Sequence, residues 1–187
     1  MWLVLLTTGL RRAEVAGLRW TDIDLKRASL SVRNTRTTVD YRVKESEPKT
    51  AKSRRTVALD PQTVAALEKH RKEQLGERLA AGELWEETGY VFVQEDGTPY
   101  HPQRITQLFQ RLTRTAGLPE ITLHDLRHTS ATLALAAGVH PKVVQERLGH
   151  ANVGITLDTY SHVVQGMQEE AATKLAGLLL PAESDST

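Results

Sequence analysis

TLHDLRHTSATLALAAGVHPKVVQERLGHANVGITLDTYSH, residues 122–162, is the stretch whose reading decides the fold. Thr122 to Asp125 is a helix entry, because Asp125 can cap the chain or favour the positive N-terminal end of a helix. Leu126, Leu133, Ala134 and Leu135 supply the buried surface of that helix, and Gly138 is its stop. Pro141 opens a second short helix at a position where its missing N–H does no harm. Gly149 ends that helix and delivers His150 at the turn. A third short helix, after Asn152 and Gly154, carries Tyr160. His124, Arg127 and His128 stand three and four residues apart, so they share a side of their helix. Three helix ends thus bring His124, Arg127, His150 and Tyr160 toward one site.

These residue types suit attack on a phosphodiester. An arginine holds the phosphate's negative charge, histidines handle protons or hydrogen bonds, and a tyrosine can become the nucleophile. One such residue alone carries little information; their order and the helix punctuation between them carry much more.

HDLRHTSATLALAAGV followed by LGHANVGITLDTY resembles the C-terminal motif region of the tyrosine recombinases, the phage-integrase family. That family carries an H-x-x-R box, an L-G-H box and a nucleophilic tyrosine at about this spacing. It also has an earlier arginine in a T-G-x-R segment and a lysine in a β-hairpin. TTGLRRAEVAGLRW supplies Arg11 and PKTAKSRRTVAL supplies Lys49, in the family's order. The resemblance implies a mixed α+β, mainly helical DNA breaking-rejoining catalytic domain with a small antiparallel β-sheet. It would span residues 1–180, with 181–187 a disordered tail. Family members usually carry a separate helical core-binding domain upstream. The chain is therefore expected to be a catalytic domain whose start is truncated and whose core-binding domain is absent.

The resemblance also assigns roles. Arg11 and Arg127 clamp the non-bridging oxygens and take up charge in the transition state. Tyr160, with a phenol pKa near ~10, needs a proton acceptor, and His124 is the candidate. His150 hydrogen-bonds a phosphate oxygen. Lys49 protonates the departing 5′ oxygen, with Lys52 as its rival. Glu14 orients Arg11 by a charge-assisted hydrogen bond, and His128 sits beside the site. Attack gives a 3′-phosphotyrosyl link and a free 5′-hydroxyl. The link conserves the bond energy, so no nucleotide hydrolysis is called for. The arginines supply the positive charge, so the reading includes no metal and no cofactor. The implied partners are double-stranded DNA and further recombinase subunits, as a tetramer on DNA, with no membrane.

Composition sets the frame. A chain of 187 residues, 40% hydrophobic and 25% charged, is expected to form one soluble globular domain with its own core. It has no cysteine, which removes disulfides and thiol chemistry and fits a cytoplasmic setting. With 24 basic against 23 acidic residues it is nearly neutral, so a nucleic-acid binder must gather its basic residues on one face. The opening run Trp2 to Leu6 lacks a basic n-region and is far too short to span a bilayer. It reads as a core helix.

The remaining elements follow from local pattern. A second helix is expected over Arg12 to Leu18, with Val15 and Leu18 inward. Ser29–Val32, Val39-Tyr41-Val43 and Thr56–Leu59 alternate as strands of a small antiparallel sheet. Their polar connection 44–55, KESEPKTAKSRR, lies in the most basic part of the chain. It reads either as a solvated hairpin or as one lying on the DNA backbone through Arg36, Lys52, Arg54 and Arg55. Asp60-Pro61 starts a long helix with Val64, Leu67, Leu75 and Leu79 inward, ending near Gly82. Tyr90–Val93 reads as a buried strand, Glu95–Thr98 as a turn, and Pro102 as the start of a helix that buries Ile105, Leu108, Phe109 and Leu112. A last helix over Gln165 to Leu180 packs on its own domain or on a neighbouring subunit.

Three rivals have their own signals. His124 and His128 have the spacing of a zinc-hydrolase helix, with His140 or His150 as a third ligand, but that leaves Arg11, Lys49 and Tyr160 unexplained. A non-catalytic DNA-binding remnant would not need all six catalytic positions filled. A type IB topoisomerase shares the chemistry, but the L-G-H box favours a recombinase, and the wording around Arg11 favours integrases of phages and mobile elements.

Overall fold

The structure, a computed structural model, describes residues 1–47, 54–150, 152–154, 156, 172–173 and 175–179. Lys49, Lys52, Tyr160 and the tail 181–187 lie outside the described residues, as does most of the expected last helix. Within that helix, residues 172–173 and 175–179 are helical.

The chain opens with α1 (Trp2–Thr8), which buries Val4, Leu5 and Thr8 and stops at Gly9, whose φ of 65° is left-handed. Short α2 (Arg12–Ala16) follows, burying Glu14, Val15 and Ala16. A single turn of 3-10 helix then leads into β1 (Ile23–Asp24). Strands β2 (Ser29–Val32) and β5 (Arg55–Ala58) complete a three-stranded antiparallel sheet in the order β1-β2-β5. Between them β3 (Thr35–Val39) and β4 (Arg42–Ser46) pair, among the described residues, only with each other. The β region is thus one small sheet and a separate hairpin. Val39-Tyr41-Val43 is not a continuous strand, because Asp40 and Tyr41 adopt positive φ of 48° and 62° and form the turn. Two successive left-handed residues match the twist that a tight hairpin requires.

The long helix α3 (Pro61–Ala81) starts as expected. The Asp60 carboxylate accepts from the Thr63 N–H at 2.9 Å, and Pro61 takes the first helical position. Its inward face differs from the expected one. Leu67 is buried, but Leu75 and Leu79 are exposed at 51% and 83%. Gln74 is buried instead and donates to the Tyr90 and Val91 carbonyls, while a ring nitrogen of His70 meets the Val91 carbonyl at 2.7 Å. These two polar side chains satisfy the backbone of the Tyr90–Val93 segment. Tyr90 to Phe92 are buried, but among the described residues the segment joins no sheet: it makes isolated bridges, Arg19 with Tyr90 and Val93 with Pro99.

Helices α4 (Pro102–Thr115), α5 (Leu123–Ala136) and α6 (Pro141–Leu148) complete the described fold. α4 buries Ile105 and Phe109, whereas Leu112 is 48% exposed. α5 is capped by Thr122 and Asp125 reciprocally: the Thr122 N–H donates to the Asp125 carboxylate at 2.7 Å, and the Asp125 N–H donates to the Thr122 hydroxyl. It buries Leu123, Arg127, Ala131 and Leu135, while Leu133 points to solvent. The main core joins α1, α2, β2, α3 and α4 through Leu5, Leu10, Val15, Leu30, Leu67 and Ile105. A smaller cluster, Ala131, Leu135, Val144 and Leu148, locks α5 to α6. Each of these fully buried leucines contributes on the order of 2–5 kcal/mol against truncation to alanine. No helix among the described residues is long and apolar enough to cross a membrane.

The hairpin is fixed to this body by a polar cluster. The Tyr90 ring lies under two guanidiniums, Arg19 at 4.5 Å and Arg36 at 5.0 Å, and its hydroxyl donates to Glu45 of β4. Arg36 is buried, with its Nη1 donating to the Tyr100 carbonyl at 3.0 Å. The expectation that Arg36 meets DNA is therefore corrected: on β3 it faces inward and its guanidinium is used to dock the hairpin.

Candidate active site

The site is built around a buried carboxylate. Arg11 precedes α2 and donates its N–H to Glu14 Oε2 at 2.8 Å and its Nη1 to Oε1 at 3.1 Å. A second arginine arrives from β5. Arg55 donates Nη1 to Glu14 Oε1 at 3.0 Å and Nη2 to Oε2 at 2.9 Å. The Glu14 side chain is 3% exposed and that of Arg55 7%. Burial pushes the Glu14 carboxyl upward, but the hydrogen bonds and charges of Arg55 and then Arg11 outweigh it and hold it below its ordinary value.

Strand period explains how Arg55 gets inside. Alternate residues of β5 share a face, so Arg55 follows Val57, which is 1% exposed. The expectation that Arg55 lies on the DNA backbone is corrected accordingly. Arg54, the next residue in the chain, stays at the surface and pairs with Glu47 at 3.3 Å.

Arg127 occupies the inward side of α5 and is 3% exposed. It donates Nη1 to the Gly9 carbonyl and Nη2 to the Leu148 carbonyl at 2.7 Å. Arg55 Nε donates to the neighbouring Arg147 carbonyl at 2.6 Å. Both guanidiniums therefore meet the C-terminal end of α6, where carbonyls lack helical partners and the dipole is negative. Gly149 then turns the chain in the left-handed region with φ 67°, and a Cβ there would lie 2.9 Å from Arg55 Nη1. The glycine ends the helix and also leaves room for the buried arginine. Arg147 ties the same corner from outside, donating to the Thr7 and Ala58 carbonyls at 3.0 and 3.2 Å.

A cleft of about 360 Å³ opens at this corner, lined among others by Arg11, Arg12, Thr106, Thr122, His124 and Arg127. The His124 and His128 rings meet edge to face with centroids 4.6 Å apart. Burial, then His128, Arg127 and Arg11, pull the His124 pKa below its ordinary value of 6.5. His150 is pulled further, to about 4, by burial and then by Arg127, Arg11, His128 and Arg55. Its Nδ1 lies 2.9 Å from the Thr156 hydroxyl. At neutral pH both imidazoles are uncharged, which leaves His124 able to accept a proton and His150 able to donate a hydrogen bond as a neutral ring.

The structure thus brings together Arg11, Glu14, His124, Arg127, His128 and His150 of the expected set. Lys49 and Tyr160 fall outside the described residues. His140 stands apart at the start of α6, where its Nδ1 accepts from the Lys142 N–H at 3.1 Å. Among the described residues no three His, Asp or Glu side chains converge as metal ligands. The sequence reading missed the grip of Arg55 on Glu14. Its signal was the inward parity with Val57 on one strand.

Comparison with known proteins agrees over most of the chain. The profile of the phage integrase family matches residues 1–166. A XerC-like tyrosine recombinase of Caldanaerobacter subterraneus subsp. tengcongensis is 35% identical, over 96% of this chain and 49% of that protein. The ICEBs1 integrase of Bacillus subtilis is 32% identical, over 92% of this chain and 46% of its own length. The chain spans about half the length of these curated relatives. Among solved structures, the Tn1549 transposon integrase in complex with transposon right-end DNA superposes with a TM-score of 0.75 at 25% identity, covering 91% of this chain and 57% of that one. The XerA recombinase gives a TM-score of 0.70 at 25% identity, covering 90% and 55%.

Proposed function

The chain belongs to the phage integrase family, the tyrosine recombinases, and on that premise we propose that it is the catalytic domain, residues 1–180, of a site-specific DNA recombinase or integrase. The observation that carries the proposal is the convergence of Arg11, His124 and Arg127 on one cleft, with His150 close enough for both arginines to depress its pKa.

In the proposed reaction a DNA phosphate enters the cleft with its non-bridging oxygens toward Arg11 and Arg127. Pre-oriented donors that meet developing charge are worth several kcal/mol of barrier each. The burial of Glu14 and Arg127 supplies that orientation, because neither side chain can move without stranding a charge. Tyr160 attacks phosphorus while His124 accepts its proton. The bond to the 5′ oxygen breaks, and Lys49 supplies that oxygen with a proton. We assign His150 the tautomer in which Nδ1 accepts from the Thr156 hydroxyl, so that the neutral ring carries its proton on Nε2 and offers it to a phosphate oxygen. The products are a 3′-phosphotyrosyl link and a 5′-hydroxyl. A hydroxyl from a second strand reverses the step and rejoins the DNA, with His124 returning the proton. Lys52 is the rival acid, and the partners are double-stranded DNA and further copies of the protein, as a tetramer, in the cytoplasm. The similarity to integrases of mobile elements favours DNA integration over other uses of the same chemistry.

The test is covalent capture. A pool of nicked duplexes of randomised sequence is incubated with the chain, and protein–DNA adducts are isolated under denaturing conditions. Adduct formed by the wild type and lost in Tyr160→Phe is the expected result. DNA binding with no adduct from any duplex would sink the proposal in favour of a non-catalytic DNA-binding module.

A further inference from the structure

We propose that Arg55 is a positioning residue for DNA cleavage, which occupies Glu14 so that Arg11 stays available to the phosphate. This rests on the reading above and deepens it. Glu14 has two oxygens, and an arginine fork can take both. Here Arg55 holds that place, with Nη1 and Nη2 on the two oxygens. Arg11 is left with one side-chain bond to Glu14, through Nη1, and keeps 39% of its side chain exposed at the cleft. Without Arg55, Arg11 lies three residues from an unshared, buried carboxylate. The shortest way to satisfy that charge is for Arg11 to fold back as a fork of its own, away from the cleft.

A second contact gives the arrangement its register. The third Arg55 nitrogen, Nε, donates to the Arg147 carbonyl at the end of α6, two residues before the Gly149-His150 turn. One side chain therefore fixes the distance between the Arg11–Glu14 pair and the element that delivers His150. A guanidinium is needed for this, because an ammonium is a point charge and cannot hold two carboxylate oxygens and a carbonyl in one plane. The buried ion pair itself is a poor source of net stability, since desolvation offsets most of its attraction. Its value here lies in geometry.

The test uses the duplex captured by the wild-type chain. Single-turnover adduct formation and DNA affinity across a salt series are measured for Arg55→Lys, Arg55→Gln, Glu14→Gln and the Arg55→Gln/Glu14→Gln double variant. A misplaced reacting group costs on the order of a hundredfold in rate. The expected result is a loss of about that size in both Arg55 variants, with affinity and salt slope at the wild-type values. The double variant loses no more than the worse single one, because both changes act through the same carboxylate. A salt slope reduced by about one phosphate contact would mean that Arg55 touches DNA, and overturns the proposal. So would losses that multiply in the double variant, or a wild-type rate in Arg55→Lys. If Arg55→Gln does not fold, Arg55→Lys keeps the buried charge and decides the question alone. A wild-type chain that forms no adduct at all overturns the recombinase reading and this one with it. Wild-type adduct alongside Arg55 variants of equal rate overturns only this one.

Discussion

Two carboxylates in this chain each gather two arginines, and their fates differ. Glu14 receives Arg11 and Arg55 with only 3% of its side chain exposed. Glu45 receives Arg19 at 3.2 Å and Arg36 at 3.5 Å, and keeps 48% of its side chain in solvent. The sequence ingredients are the same. Around Glu45, water reaches the half-exposed carboxylate and can replace its arginines, so the cluster docks a hairpin and sets little else. Around Glu14 no such replacement exists, and each atom's place constrains the next. Burial converts a common ion-pair arrangement into a means of fixing geometry at the candidate active site.

The strongest way to break this contrast is to remove the carboxylates one at a time. Glu14→Ala strands the buried Arg55 guanidinium, and destabilisation of about 3–5 kcal/mol is expected from urea unfolding. Glu45→Ala leaves the buried Arg36 guanidinium without its acid and is expected to cost less, about 2 kcal/mol, with adduct formation intact. Equal costs at the two positions would mean that burial is not what separates them.

Acid sharpens the comparison next. The folded-state pKa of His150 is about 4 against an ordinary 6.5, so the unfolded chain binds more protons between those values. Stability is therefore full above about 6.5 and falls as the pH drops toward about 4. Glu14, also held low, adds a further loss as the pH falls from 4.5 through its folded-state value. Urea midpoints measured across pH 4–7 should decline on the acid side, and His150→Asn should flatten the upper part of that decline. The same depression moves the protonation of His124 and His150 below 6.5. Any acid-side fall in adduct formation is thus expected to centre below 6.5. A fall centred on 6.5 itself would show imidazoles that do not feel the arginines.

The smallest expected effect lies on the hairpin side. Tyr90→Phe removes the hydroxyl that donates to Glu45 and accepts from Arg19, but keeps the ring under Arg19 and Arg36. A loss of about 1 kcal/mol is expected by thermal or urea unfolding, with the adduct rate unchanged.

Much of this arrangement was legible from residues 122–162 and from the caps. Asp60-Pro61, Thr122 with Asp125, Pro141 and Gly149 mark helix ends by local chemistry, and they fall where the structure ends its helices. Tertiary partners were not legible in the same way. Leu75 and Leu79 fit an apolar stripe, yet α3 turns Gln74 and His70 inward because the Tyr90 and Val91 carbonyls need donors there. Val39-Tyr41-Val43 alternates like a strand, but two left-handed residues break it, and alternation says nothing of φ. Arg36 and Arg55 sit in a basic run that reads as solvated. What draws them inside is the parity of their strands, with Glu45 and Tyr90 waiting for one and Glu14 for the other. Those acids lie nine and forty-one residues away in the chain, beyond any local pattern.

The hairpin turn has a practical use that follows from its isolation. β3 and β4 share no ladder with the three-stranded sheet, and Tyr41 at their tip is 99% exposed. A fluorophore coupled there, through a cysteine placed in a chain that has none of its own, would ride on a lever anchored at Tyr90. Asn-Gly in place of Asp40-Tyr41 would give the same tip residues suited to its backbone, making it a graft point for an added loop.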